Sequence, residues 1–344
     1  MSAHVQVPPF VVIPGGQVQQ VLHERQQEVV DIVADTYRQH GAGGTVNPPS
    51  YFLRFPDRPN SRIIALPAAL GGDAAVDGIK WISSFPDNVA AGIPRASAVL
   101  VLNDHDTGYP FACLESSVIS ATRTAASAAL AADHLSRGRP APRRVGFVGT
   151  GLIARYIHTY LSATGWSFEE IGIHDLSGEH AAGFGEYAAE AEPGAKITVH
   201  TDADGLIRAS DLVVFATVAA EPHVHDPAAF AHHPLVLNVS LRDLSPDVVL
   251  SAANFVDDVE HCLKADTSPH LAEQRTGHRD FLDGTLDDVL AGRVRPPTDR
   301  TVIFSPFGLG VLDLAVGRFV YEEVVARGEQ LVVPDFFAEL RRYG

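Results

Sequence analysis

The stretch Arg144-Val-Gly-Phe-Val-Gly149-Thr-Gly151-Leu-Ile-Ala154 constrains the fold more than any other part of the chain. A short apolar run stops at Gly149, and a helical pattern opens at Gly151. In a strand–turn–helix of this kind the first glycine permits the tight turn, and the second lets a pyrophosphate approach the backbone. A small third residue, here Ala154, lets the helix pack on the strand while its N-terminus offers unpaired N–H groups. About one helix later, Glu170-Ile-Gly-Ile-His-Asp175 reads as a second buried strand ending in an acid, the place of a ribose-binding carboxylate. Gly149, Gly151, Leu152, Ile153 and Asp175 are therefore candidate cofactor contacts. Asp175, followed by Leu176-Ser-Gly178 with no arginine, predicts NAD rather than NADP. The competing reading is a purely structural turn; Asp175 as a helix cap is compatible with the cofactor reading and does not compete with it.

Around this stretch the pattern divides the chain. Residues 1–14 read as an approach strand and 17–40 as one amphipathic helix, ended by Gly41-Ala-Gly-Gly44. Strand candidates follow at 51–55, 63–66, 78–82, 98–102 and 110–114, with a hairpin loop at 103–108. This part predicts a mostly antiparallel sheet carrying a helix. An alanine-rich helix over 115–136 leads through a short linker into the fingerprint. From there strands alternate with helices up to a strand at 301–304, a helix at 311–326 and a proline-interrupted tail. Apolar strands alternating with helices predict an α/β, doubly wound parallel sheet of Rossmann type.

Composition narrows the partners. A net charge of -16 argues against nucleic acid and against an anionic membrane surface. No apolar run approaches membrane length, and two cysteines without metal-type spacing fit a reducing cytoplasm and no metal. An anionic small substrate remains compatible, because local cations override a global sign. Lysine occurs only at 80, 196 and 264. Lys80 lies in the apolar strand Gly78-Ile-Lys-Trp-Ile82, where period-two alternation by itself would turn it to solvent. Arg54 sits similarly between Leu53 and Phe55. Arg123, among small residues on a helix, predicts pairing with a carboxylate of protein or ligand.

Thr122-Arg-Thr-Ala-Ala126, Lys80 with the following Phe-Pro-Asp-Asn88, Asp106-Thr-Gly108 and Gly149-Thr-Gly151 together resemble the ornithine cyclodeaminase/μ-crystallin family, from about Ile13 to about Tyr321. The resemblance implies a discontinuous, mostly antiparallel α+β substrate and dimerisation domain (1–120 and 315–344) around a Rossmann NAD-binding domain (121–314). It implies that Arg54, Lys80 and Arg123 hold a substrate carboxylate, with Arg95 and Arg242 as further cations. It adds Thr122, Arg123, Ala216, Thr217, Val218 and Ser240 to the cofactor contacts, and a homodimer. Two places depart from the cyclodeaminases. Ala65 stands where they carry a glutamate, and Asn238-Val-Ser-Leu-Arg-Asp243 stands where they carry a catalytic aspartate.

With Gly41–Pro49, these strings are similar to a dehydrogenase branch that cleaves a tricarboxylated secondary amine into 2-oxoglutarate and 2,3-diaminopropionate for siderophores and peptide antibiotics. The group that moves the protons is left open among Asp243, Lys80 and a histidine such as His223, and Lys80, Arg123 and Asp243 are the catalytic candidates. The alternatives are ornithine cyclodeamination, an imine reductase or amino-acid dehydrogenase of the same family, and a crystallin-like binding protein without turnover.

Overall fold

The computed structural model describes residues 7–72 and 75–340; the first six residues of the expected approach strand lie outside them. The chain separates into two units, one of residues 1–123 and 309–344 and the other of residues 124–308.

The first unit holds strands β1 (Phe10–Ile13), β2 (Thr45–Val46), β3 (Tyr51–Phe55), β4 (Arg58–Leu70), β5 (Val76–Ser84), β6 (Ala96–Asn103) and β7 (Pro110–Glu115). The order is β16-β1-β7-β6-β5-β4-β2, where β16 is Leu331–Val333 and β3 also pairs with β4. All pairs are antiparallel except β1 with β7. Register lines up Leu66, Lys80, Leu100 and Leu114 on one face. All four are buried, and the helix Gly310–Ala326 packs on β4, β5 and β6. Gly317 makes that approach possible, since a Cβ there would lie 2.1 Å from Leu100 Cδ2. The neighbouring row, Tyr51, Ala65, Trp81 and Val99, occupies the opposite face. Alternation therefore operates as expected but with the other phase: Lys80 is the buried residue and Trp81 the exposed one.

The second unit is built on an all-parallel sheet of β8 (Arg144–Val148), β9 (Glu170–His174), β10 (Lys196–Val199), β11 (Leu212–Phe215), β12 (Leu235–Asn238), β13 (Ala253–Val256), β14 (Leu282–Thr285) and β15 (Val302–Ser305). The order is β10-β9-β8-β11-β12-β15-β13-β14. Strand order reverses between β8 and β11, which makes their carboxyl ends a topological switch point. The strands β11, β12, β13 and β15 are buried throughout, as a sheet covered on both faces requires.

Three sequence expectations are corrected here. The helix expected over 17–40 is two helices, Gly15–Leu22 and Gln26–Gly41, broken at Glu24 with φ 59. The region expected to hold a single short strand at 63–66 is the long strand β4. Strands β2, β14 and β16 were not anticipated at all.

Candidate functional site

In the second unit the fingerprint takes the geometry its spacing predicts. Gly149 has φ +84, and a Cβ there would stand 2.8 Å from the carbonyl oxygen of Ala216, so the turn accepts only glycine. Gly151 is the N-cap of the helix Leu152–Ala163, with no side-chain cap bond and open space where a Cβ would be. Uncapped N–H groups facing open space fit a pyrophosphate. Ala154 is buried, Ile153 half-buried and Leu152 exposed. Asp175 Oδ2 accepts from the Thr150 N–H at 2.9 Å and the Thr150 hydroxyl at 2.7 Å, and Oδ1 accepts from the Ser177 N–H at 2.9 Å. Burial pushes this carboxyl up, but those hydrogen bonds outweigh it and hold the pKa below the ordinary value. Val218 is exposed; Ser240 is buried, and its Oγ has no partner among the described residues.

An ionised acid at this place repels a 2′-phosphate. Titration of the protein with each dinucleotide is therefore expected to give a dissociation constant at least about tenfold lower for NAD than for NADP. Equal or tighter NADP binding would remove Asp175 from the ribose site.

Beside the fingerprint, Thr217 follows β11 and Asp243 follows β12. The Asp243 side chain is fully buried, and its Oδ1 accepts from the Thr217 hydroxyl at 2.5 Å and from His223 Nε2 at 2.8 Å. The turn Asn238–Asp243 thus places a buried carboxylate beside Thr217 and His223. Arg242 donates to the carbonyls of Ala220 and Ala265, at 3.3 and 2.9 Å. Its guanidinium is tied to loop backbone in the second unit.

The first unit gathers a different group. Lys80 Nζ donates to Asp313 Oδ2 at 2.6 Å and to Ser120 Oγ at 3.2 Å. Arg123 Nε donates to Asp313 Oδ1 at 3.2 Å, and its terminal nitrogen reaches Ser120 Oγ at 3.4 Å. Lys80 is 2% exposed and Asp313 0%. Thr122, next to Arg123 on the helix Ser117–Leu135, is buried as well. Two cations on one carboxylate leave a surplus positive charge in a dry setting, an arrangement that favours a further anion. Burial, then the neighbouring Arg123, push the Lys80 pKa down to about 8 against the raising pull of Asp313.

The structure does not bring the other expected cations to that pair. Arg54 is exposed and lies over the Phe52 ring, 5.0 Å from its centroid. Arg95 donates to Ser84 Oγ at 2.7 Å, and burial lowers its pKa. Ala65 alternates to the face opposite Lys80, so its identity bears on the outer surface of the sheet and not on the cation pair. Asp313 was missed in the sequence. Its signal was there, a lone acid within the apolar run Val311-Leu-Asp-Leu-Ala-Val316.

Residues 16–328 match the Ornithine cyclodeaminase/mu-crystallin family. The chain belongs to that family. It is 28% identical over 320 residues to N-((2S)-2-amino-2-carboxyethyl)-L-glutamate dehydrogenase of Staphylococcus aureus, covering 89% of this chain and 93% of that protein. Its fold is shared with the Δ(1)-pyrroline-2-carboxylate reductase of Thermococcus litoralis, solved with NADH and L-proline. That match has a TM-score of 0.86 at 22% identity and covers 94% of this chain and all of the other. An archaeal alanine dehydrogenase dimer with bound NAD matches with a TM-score of 0.83 at 23% identity, over 95% and 99% of the two chains. No helix among the described residues is long and apolar enough to cross a membrane.

Proposed function

We propose that this family member is an NAD-dependent dehydrogenase that oxidises N-(2-amino-2-carboxyethyl)-L-glutamate to 2-oxoglutarate and L-2,3-diaminopropionate. The observation that carries the reading is the similarity to the staphylococcal dehydrogenase along 89% of the chain. The surplus charge at Lys80 and Arg123 supports it, because the substrate is an anion. The Rossmann unit (124–308) binds the dinucleotide through Gly149, Gly151, Leu152, Ile153 and Asp175, with Ala216, Thr217, Val218 and Ser240 nearby. Bound NAD supplies the hydride acceptor. Lys80 and Arg123 hold a substrate carboxylate, and Asp313 holds both cations in place. The other two carboxylates need further cations, for which Arg54 and Arg95 of the same unit are the candidates. Supplying the amine with NAD tests the reading: NADH is expected to accumulate in step with 2-oxoglutarate. A second reading is ornithine cyclodeamination, for which the buried Asp243 offers an acid in the turn Asn238–Asp243. Proline and ammonia from ornithine without net NADH would establish it and remove the first.

The row Tyr51, Ala65, Trp81 and Val99 supports assembly as a homodimer through the first unit. Tyr51 is 70% exposed, Trp81 42% and Val99 41%, an apolar strip across four strands that a second copy would cover. Sedimentation at micromolar concentration is expected to show a dimer. Trp81→Glu should weaken association by about 30-fold or more, the cost of losing one central aromatic anchor. A wild-type monomer at that concentration removes the assembly.

A further inference from the structure

We propose that His223, oriented by Asp243, moves the protons of imine hydrolysis in the dehydrogenase reaction described above, on which this inference rests. The two residues sit on loops that leave the carboxyl ends of β11 and β12, adjacent parallel strands at the edge where such sheets take ligands. The backbone alone already joins these loops. The N–H groups of His223 and Val224 each donate to the Asp243 carbonyl at 3.0 Å, and Val224 bridges to Leu244. The buried carboxylate is thus not needed as a clamp. Its Oδ2 has no hydrogen-bond partner among the described residues, which is a costly arrangement for a purely structural side chain.

The pairing also fixes which imidazole nitrogen is basic. Asp243 Oδ1 accepts the Nε2 proton at 2.8 Å, so the Nδ1 lone pair is free to take one. No hydrogen bond to Nδ1 is made among the described residues, and the His223 side chain is 38% exposed, so small molecules reach it. Other described histidines lack this combination. His158 is buried, His232 is spent on the Ser210 carbonyl at 2.8 Å, and the carboxylates paired with His105, His270 and His278 are themselves solvated.

The proton balance gives this nitrogen two tasks. Loss of hydride from Cα leaves a substrate iminium. Water adds to the iminium carbon, the C–O bond forms, the π pair returns to nitrogen, and one water proton passes to Nδ1. In the second step the hydroxyl gives its proton to solvent, C=O forms and the C–N bond breaks. His223 then returns its proton to the departing nitrogen, which leaves as the primary amine. One water is consumed and one proton is released with each NADH.

His223→Gly is expected to lower kcat by about 10²- to 10⁴-fold, the usual weight of a general acid–base group, with NAD affinity unchanged within about twofold. Added imidazole should restore activity to His223→Gly in proportion to its free-base fraction. Stopped-flow mixing of the variant should show NADH formed ahead of 2-oxoglutarate. A variant with wild-type kcat overturns the proposal. So does a variant that binds NAD but gains nothing from imidazole, or one that has lost NAD binding. Asp243→Asn, which presents a donor to Nε2, should lose activity comparably and flatten the pH profile; an unchanged profile also overturns it. If the wild type does not oxidise the tricarboxylated amine, the substrate reading is what fails. The same variants are then compared on whichever amino acid the wild type does oxidise.

Discussion

Replacing Lys80 with alanine is expected to lower kcat/KM for the amine by about 30- to 5000-fold while the dissociation constant for NAD stays within about twofold. The range is the 2–5 kcal/mol lost when a buried charge-assisted contact is removed from one side, converted at 1.36 kcal/mol per tenfold. Folding should survive, because Asp313 keeps Arg123 as a partner and the buried charges then balance one to one. Near-normal activity would show that Lys80 does not touch substrate.

Its titration adds a second, independent reading. The native pKa of about 8 lies below the free value, so the ammonium proposed to bind a substrate carboxylate is lost as pH rises through about 8, and KM should climb there. The sign for stability is opposite. Between about 8 and the free value the unfolded chain binds a proton that the native chain does not, so this group's contribution makes the protein more stable as pH rises across that window. In Lys80→Ala both trends should vanish.

Asp313→Ala is expected to be the most damaging single change to the first unit, costing about 3–5 kcal/mol of stability. Removing one partner of a buried ionic group strands the others, and here two cations would remain in a dry site without an anion. Urea denaturation in a Trp166→Phe background, followed by the fluorescence of Trp81, which belongs to the same sheet, reads the loss. A change below about 1 kcal/mol would mean that water or another group compensates, and that Lys80 and Arg123 do not depend on Asp313.

The nucleotide half of the candidate site was legible because its demands fall on backbone: a positive φ at Gly149, a close carbonyl, an uncapped helix start. Such demands leave glycines at fixed spacing. The anion-holding half was only partly legible. Lys80 and Arg123 could be named, but their partner lies 233 residues from Lys80, and no local pattern encodes that distance. Arg54 and Arg95 show the limit from the other side. The family resemblance and the charge of the expected substrate named them, and no local pattern foretold that one would lie over Phe52 and the other on Ser84.

In the fold, strong periodicity located most strands, while β14, β16 and the two-residue β2 escaped. Leu282-Asp-Gly-Thr285 has neither alternation nor an apolar run, and Leu331-Val-Val333 is too short to stand out before Pro334. The break at Glu24 was hidden for another reason. His23-Glu-Arg25 contains no glycine or proline, so no helix-breaking residue marks the place where Glu24 takes a positive φ.

The division of the first unit between residues 1–123 and 309–344 sets an order of events during synthesis. A ribosome that has delivered residues 1–308 has made every strand of the parallel sheet, so the second unit can close on its own. The first unit at that moment lacks the helix Gly310–Ala326 that covers its buried face, and the strand that pairs with β1. Lys80 and Arg123 have been made, but their shared carboxylate has not. Vectorial folding normally favours the segment that emerges first. Here it is reversed: the earlier-made half must wait, apolar face uncovered and cations unneutralised, for the later-made half to finish. Slow codons or a stall just before residue 309 would therefore prolong the most aggregation-prone stage of this protein's life, which ends only when both the helix Gly310–Ala326 and the strand Leu331–Val333 have emerged.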